Sequence, residues 1–417
     1  MQTIDLKYGR TAIPFGFEPE RFSVLQVSEV PPLSDVLLGE RLDSPIGSPP
    51  LEEIVGAGES VLLVVPDATR QVGCGQVINL LVRRLIASGI EAFDISIIFA
   101  TGIHRAVTDE ERSSILSPFI AQRIKTLDHA PRDLMRIVSM GTTSGGIPIQ
   151  LNRALVEHDH VILIGGINFH YFAGFTGGRK LICPGLASTK TIGATHKLAF
   201  DCEKLDRRTG VGTGRLDGNA VHEAFAEAAS KIESVFCIST HVNGRGEVTE
   251  LFSGDLVTSH RAACDAYAAA YSVKIAEKRD LVIASCGGFP FDINMIQAHK
   301  ALEAASSACA DGGTIILLAE CPDGAGRTDF LNWFEARNSS ELAGKLCEKY
   351  QVNGQTAWSL LKKAERFDVR IVTSLAEADV SLMRMKKIEP ELLETRGGGR
   401  SGYIIPKASG INIISPD

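Results

Sequence analysis

Residues 165–196, GGINFHYFAGFTGGRKLICPGLASTKTIGATH, concentrate the groups most able to do chemistry: His170, His196, Lys180, Lys190 and Arg179 among closely spaced glycines. An imidazole exchanges protons near neutral pH and binds metals. A lysine in a glycine-rich turn can be a nucleophile or a covalent tether. Glycine lets backbone approach a ligand closely, and the exposed N–H groups of such loops attract anions. The stretch therefore points to a phosphate-bearing cofactor. The P-loop pattern fails: counted from Gly174, Arg179 stands where that motif needs glycine and Leu181 where it needs Ser or Thr. The competing interpretation is a glycine-rich surface loop. Neither an HxxxH nor a CxxC spacing is present, so no local metal motif supports His196 as a ligand.

Three further groups stand out. Asp67 and Arg70 follow an apolar run; an arginine there can fork onto a carboxylate or phosphate, against the alternative of a capping Asp beside a solvated Arg. His104, in TGIHR, can be an acid/base or a ligand, against a packed or solvated histidine. Gln297 and Lys300 are three apart, so they share one helix face and can meet an anionic substrate, against a solvated face.

The elements that must position these residues read as α/β. Residues 60–65, 94–100 and 161–164 are apolar, β-rich runs, each followed by one of the chemical clusters. Helical spacing covers 76–88, and Thr108 with three acids starts another helix. This β-loop-α alternation predicts a mostly parallel sheet with ligands at the carboxyl ends of its strands. Residues 1–50 read as short strands and extended linker, 51–56 as a short helix, 217–232 as a helix and 235–240 as a strand. An alanine-rich helix over 257–278 is expected to bridge two domains. A second α/β unit follows, with strands at 281–285, 314–319 and 370–373 and short strands near 403–407 and 411–414. The expected division is 1–270 and 271–417.

At 417 residues, two domains are expected. A net charge of −7 gives no electrostatic reason to expect nucleic-acid binding. No apolar run reaches the roughly 18 residues a membrane helix needs. The N-terminal residues lack the apolar core of a signal peptide. Nine cysteines, scattered singly, fit reduced thiols. A cytoplasmic protein without membrane partner is expected.

Taken as a set, PDATR (66–70), TGIHR (101–105), NFH (168–170), GFTGGRKLICPG (174–185), the histidine sixteen residues after Lys180 and GGFPFDINMIQAHKA (287–301) resemble the lactate racemase family. The resemblance runs from Tyr8-Gly9 to YIIP at 403–406. It implies a two-domain α/β enzyme with its site in the interdomain cleft. It also implies a nickel-pincer nucleotide, the Ni(II) complex of pyridinium-3-thioamide-5-thiocarboxylic acid mononucleotide, tethered to Lys180 and supplied by separate maturation enzymes. By the same resemblance His196 ligates nickel, and His104 and His170 are the paired acid/bases. Asp67, Arg70, Gln297 and Lys300 line the cofactor and substrate site, the turns at Gly177-Gly178-Arg179 and Thr189-Lys190 contact the nucleotide phosphate, and Trp358 corresponds to a tryptophan near the metal. Two positions depart from the pattern. Gln71 follows Arg70 where proline is common. Ile296 stands where the lactate enzyme has tyrosine, which points to a longer 2-hydroxy acid.

The implied reaction inverts C2 of a 2-hydroxy acid. That hydrogen is a poor acid beside a carboxylate already negative, so its removal as a hydride, with a histidine taking the hydroxyl proton, avoids a carbanion. Nickel(II) favours planar N and S ligation, consistent with one imidazole and a pincer. The alternatives are a nicotinamide-dependent 2-hydroxyacid dehydrogenase, for which no GxGxxG follows an early strand, and a homologue that binds cofactor or ligand without catalysis.

Overall fold

The structure, a computed structural model, describes residues 1–67, 72–391 and 401–416. The chain forms two compact α/β units. One comprises residues 29–199 and 208–269, the other residues 1–28, 200–207 and 270–417. A boundary thus falls at Ala270, close to the expected division. Residues 1–28 and 200–207, however, associate with the later unit, not with the first 270 residues.

In the unit of residues 29–199 and 208–269, a six-stranded sheet runs in the order Val248–Asp255, Val235–Val242, His160–Gly166, Val61–Pro66, Ile95–Ala100, Lys125–Asp128. All pairs are parallel except the edge pair of Val235–Val242 with Val248–Asp255. Alternate residues of the central strands face opposite layers. Leu63, Val65, Ile97 and Ile162 meet the helix Cys74–Ala87, whereas Leu62, Val64, Ile98 and Leu163 meet Phe225 and its helix Ala220–Ala229. Strand order reverses between Val61–Pro66 and His160–Gly166, the place where ligands gather in such sheets.

The second unit has a six-stranded parallel sheet in the order Lys386–Lys387, Asp368–Val372, Cys309–Leu318, Arg279–Ser285, Gly402–Ile405, Phe22–Val24. The hairpin of Gln2–Tyr8 and Thr11–Phe17 covers one face with Leu6, Phe15 and Phe17 against Ile283, Ile316 and Ile404. Its turn is pinned where the Gly9 N–H donates to Asp292 (2.7 Å) and the Gly9 carbonyl accepts from Phe289 N–H (2.7 Å). The helices Met295–Ala308 and Val352–Arg366 line the other face. Buried between them, the Glu303 carboxylate accepts from Lys363 (2.6 Å), Ser359 (2.6 Å) and Arg207 (3.2 Å). Lys363 and Arg207 hold that carboxyl far below the usual carboxylate range against the opposing effect of burial.

Several expectations change. The segment read as linker contains the helix Asp35–Asp43, capped by Ser34 and buried through Leu38 and Leu42, a pair one turn apart. The helix expected over 257–278 spans Thr258–Tyr271. Beyond it Ser272–Lys274 forms a strand beside Asn412–Ile414, a long-range partner invisible to local pattern. The cysteines are not all thiols: Cys202 and Cys347 form a disulfide with Cα atoms 5.7 Å apart, and the other seven are free and buried. Among the described residues no helix is long and apolar enough to cross a membrane.

Because Cys202 and Cys347 are separated by 145 residues, their bridge removes a large loop from the unfolded ensemble. Cys347→Ser should lower unfolding free energy by about 2–4 kcal/mol, read as a shifted urea midpoint. A midpoint identical to wild type under non-reducing conditions would refute the bridge.

Candidate functional site

Asp67 and His104 follow adjacent strands, and the register sets Pro66 opposite Ala100. The next residues therefore emerge side by side. The His104 Nδ1 donates to Asp67 Oδ2 at 2.7 Å, joining a half-exposed ring to a nearly buried carboxylate. A carboxylate can only accept, so this bond assigns the proton to Nδ1 and makes Nε2 the lone-pair nitrogen. Asp67 does not cap the following helix, whose N-cap is Gly73.

The strand His160–Gly166 opens into a short hairpin, Phe169–His170 paired with Gly174–Phe175. Gly174 has φ +77°, and a side chain there would run into the Arg215 carbonyl. The His170 ring lies edge-on to Phe172 at 4.4 Å and its Nδ1 accepts from Ala173 N–H at 3.3 Å. The neutral ring in that arrangement carries its proton on Nε2, the reverse of His104.

Arg179 is an expected phosphate contact, but its side chain turns inward. It is 3% exposed and donates to the Ala173 and Phe175 carbonyls, at 2.9 and 3.2 Å, and to His260 at 2.8 Å. The guanidinium thus braces the hairpin that carries His170; burial pushes its pKa down to about 10. Gly177 and Gly178, also expected around a phosphate, have positive φ and lie against Ile167 and His260, where a Cβ would clash.

Lys180 lies on the short helix Arg179–Ile182 and His196 on Thr189–Lys197. Two aromatic rings bring them together. The Lys180 Nζ is 5.7 Å from the centroids of both Phe172 and Phe225, and the His196 ring is 5.2 and 5.4 Å from the same two. The His196 Nδ1–H donates to the Ile192 carbonyl at 2.8 Å, so Nε2 keeps the lone pair. Burial, reinforced by the Lys180 charge, pushes this imidazole down to about 3. It is therefore neutral at physiological pH, as a metal-ligating histidine must be. Among the described residues no three His, Cys, Asp or Glu gather as a metal cluster.

Thr189 and Lys190 open the helix that carries His196, behind the capping Ser188. Thr189 and His104 also line a cavity of about 470 Å³ together with Arg132. On the other unit, Gln297 and Lys300 are joined by a hydrogen bond from Lys300 Nζ to Gln297 Oε1. Ile296 is half-buried and packs against that unit's core, and Trp358 is buried edge-on to Phe200 at 5.0 Å. Arg70 and Gln71 lie outside the described residues. Sequence reasoning missed Phe172, in the turn of the His170 hairpin, and Phe225, on the helix Ala220–Ala229, since a buried aromatic carries no chemical signal.

The family models for the lactate racemase N-terminal domain and the lactate racemase C-terminal domain match residues 8–207 and 274–389. Two curated proteins named lactate racemase are similar. One, from Thermoanaerobacterium thermosaccharolyticum, is 29% identical over 84% of this chain and 82% of its own length. The other, from Lactiplantibacillus plantarum, is 32% identical over 79% of this chain and 77% of its own. A structure of the lactate racemase apoprotein from T. thermosaccharolyticum superimposes with TM-score 0.88 at 26% identity, covering 99% of this chain and all of that one. A Thermotoga maritima protein at 20% identity shares the fold, with TM-score 0.71 over 94% of this chain and all of its own.

The buried imidazoles give this unit a pH signature. Burial also pushes His129 down to about 4. Folded His196 and His129 stay neutral while the unfolded chain takes up protons below about pH 6.5. Stability is thus fully present above pH 6.5 and falls as the pH drops toward 4, by up to about 1.4 kcal/mol per pH unit for each group. Urea midpoints at pH 7, 5.5 and 4.5 should decline in order; a flat series would contradict the neutral assignment.

Proposed function

The chain belongs to the lactate racemase family, and from that premise we propose that it inverts C2 of a 2-hydroxy acid with a nickel-pincer nucleotide carried on Lys180. The observation that carries the proposal is the shared setting of Lys180 and His196. An amine and a neutral imidazole lie against the same two aromatic rings, Phe172 and Phe225, with the lone pair of His196 on Nε2. This donor set fits the group: one lysine to tether it and one imidazole to bind its metal. With no protein metal cluster among the described residues, the remaining donors would be the cofactor's own. When bound, that group supplies an electrophilic carbon able to take hydride from C2 and return it to the opposite face.

The protein's own residues handle the proton, the orientation and the solvent. Asp67 fixes the His104 tautomer and stabilises the imidazolium formed when Nε2 takes the substrate hydroxyl proton. His170, neutral with its proton on Nε2, hydrogen-bonds the substrate oxygen; it serves as base for the other enantiomer when that proton stands on Nδ1 instead, which gives up the bond from Ala173 N–H and leaves the Nε2 lone pair to take the hydroxyl proton. Arg179 holds the hairpin that sets the His170 ring. Arg70 is the proposed contact for the substrate carboxylate. Phe172 and Phe225 keep water from Lys180 and His196. Maturation enzymes would deliver the cofactor.

The strand order is also that of dinucleotide-binding domains. The loop after Val61–Pro66, however, begins with Asp67 and lacks the glycine fingerprint, and a fold does not by itself assign chemistry. A dehydrogenase would change NADH absorbance with its substrate; a racemase would not.

Protein matured with the cofactor-making enzymes should show a mass adduct that Lys180→Ala lacks, while His196→Ala keeps the adduct and loses nickel. An adduct surviving in Lys180→Ala refutes the tether. Asp67→Asn should retain nickel and adduct yet lower kcat on the order of 100-fold, because the amide no longer fixes the base tautomer of His104. Near-full turnover in that variant would remove Asp67 from the proton path.

A further inference from the structure

The cavity beside His104 carries a charge that inversion at C2 of lactate does not use. It measures about 470 Å³, within the range of small-molecule sites, and Ile103, His104, Arg132, Asp133 and Thr189 are among its walls. Its acidic groups are already engaged. The Asp133 carboxylate accepts from Met135 N–H at 3.0 Å and faces Arg136 at 3.4 Å. His104 is committed to Asp67. Among the described residues, the Arg132 guanidinium forms no ion pair or hydrogen bond, so the wall presents one uncompensated cation with five N–H donors. Ile103 adds an apolar surface and Thr189 a hydroxyl.

We propose that Arg132 is a specificity-determining residue that binds a second, distal carboxylate of the substrate, so that the cavity takes a 2-hydroxy diacid in preference to lactate. The proposal rests on the racemase reading for the role of His104. Lactate ends in a methyl group and has nothing to offer Arg132. A 2-hydroxy acid with another carboxylate one or two carbons further places two oxygens where the guanidinium fork pairs with them, and such pairing is bidentate and directional. A methylene between the acid groups meets Ile103. The same fork could hold a phosphate, the other source of this chemistry.

Calorimetric titration of the full-length chain without cofactor, with D- and L-malate, lactate and inorganic phosphate, tests the assignment. Wild type should bind malate at least tenfold more tightly than lactate. The preference should weaken with added salt, vanish in Arg132→Gln and partly return in Arg132→Lys. On the loaded enzyme, the malate-to-lactate ratio of kcat/KM should fall tenfold or more in Arg132→Gln, mainly through KM. Malate no tighter than lactate, or an unchanged preference in Arg132→Gln, overturns the proposal. Arg132-dependent binding of phosphate without malate binding overturns it too, by giving the residue to a phosphate. If malate shows the expected Arg132-dependent binding while the loaded chain racemises neither acid, the diacid site stands and the racemase reading fails. If the loaded chain racemises lactate and malate binds no more tightly than lactate, the racemase reading stands and the diacid site fails.

Discussion

A parallel sheet whose strand order reverses has one place where the loops of neighbouring strands turn away from each other, and every candidate catalytic group of this unit depends on it. The reversal lies between Val61–Pro66 and His160–Gly166. Asp67 leaves the first of these strands, and His104 leaves the strand beside it in register with Pro66 and Ala100. The second releases the hairpin of His170 and then the helix of Lys180. The backbone hydrogen bonds of the sheet thereby fix where each of these connections begins. The close bond between Asp67 and His104 follows from strand pairing, although the two residues are 37 apart in the chain.

Within that frame the aromatic pair Phe172 and Phe225 sets the electrostatics. Apolar walls make a charge expensive, so His196 gives up its proton, the more readily beside the Lys180 amine. Arg179 solves a related problem differently. Its buried charge meets carbonyl dipoles and an imidazole, and among the described residues no carboxylate pairs with it. Neighbours in sequence, Arg179 and Lys180 thus diverge: the guanidinium braces the hairpin, while the amine lies against Phe172 and Phe225.

Much of this is legible in the sequence because the signals are local. Apolar runs at 61–65, 95–100 and 161–164 are strands, and the chemical clusters follow their carboxyl ends as the alternation predicts. Thr108 with Glu111 forms the capping box that its acids suggest. What escapes a sequence reading depends on distant partners. Ser272–Lys274 is a strand only because Asn412–Ile414 lies beside it. Cys202 and Cys347 meet across 145 residues. The inward turn of the Arg179 guanidinium onto the Ala173 and Phe175 carbonyls likewise depends on a hairpin folded around it.

The strand Phe22–Val24 pairs with Gly402–Ile405, so the second unit is stitched together by residues 380 positions apart. On a ribosome adding about 5–20 residues per second, the first of these segments waits on the order of 20–75 seconds for the second to be made. The other unit, drawn from residues between them, has nearly all of its chain available well before then. The hairpin bearing Leu6, Phe15 and Phe17 meets Ile283 and Ile316 only when their strands have been made, and Ile404 later still, so its apolar face waits uncovered for most of synthesis. Biogenesis of this chain is therefore ordered from the inside outward, with its earliest residues among the last to find their place.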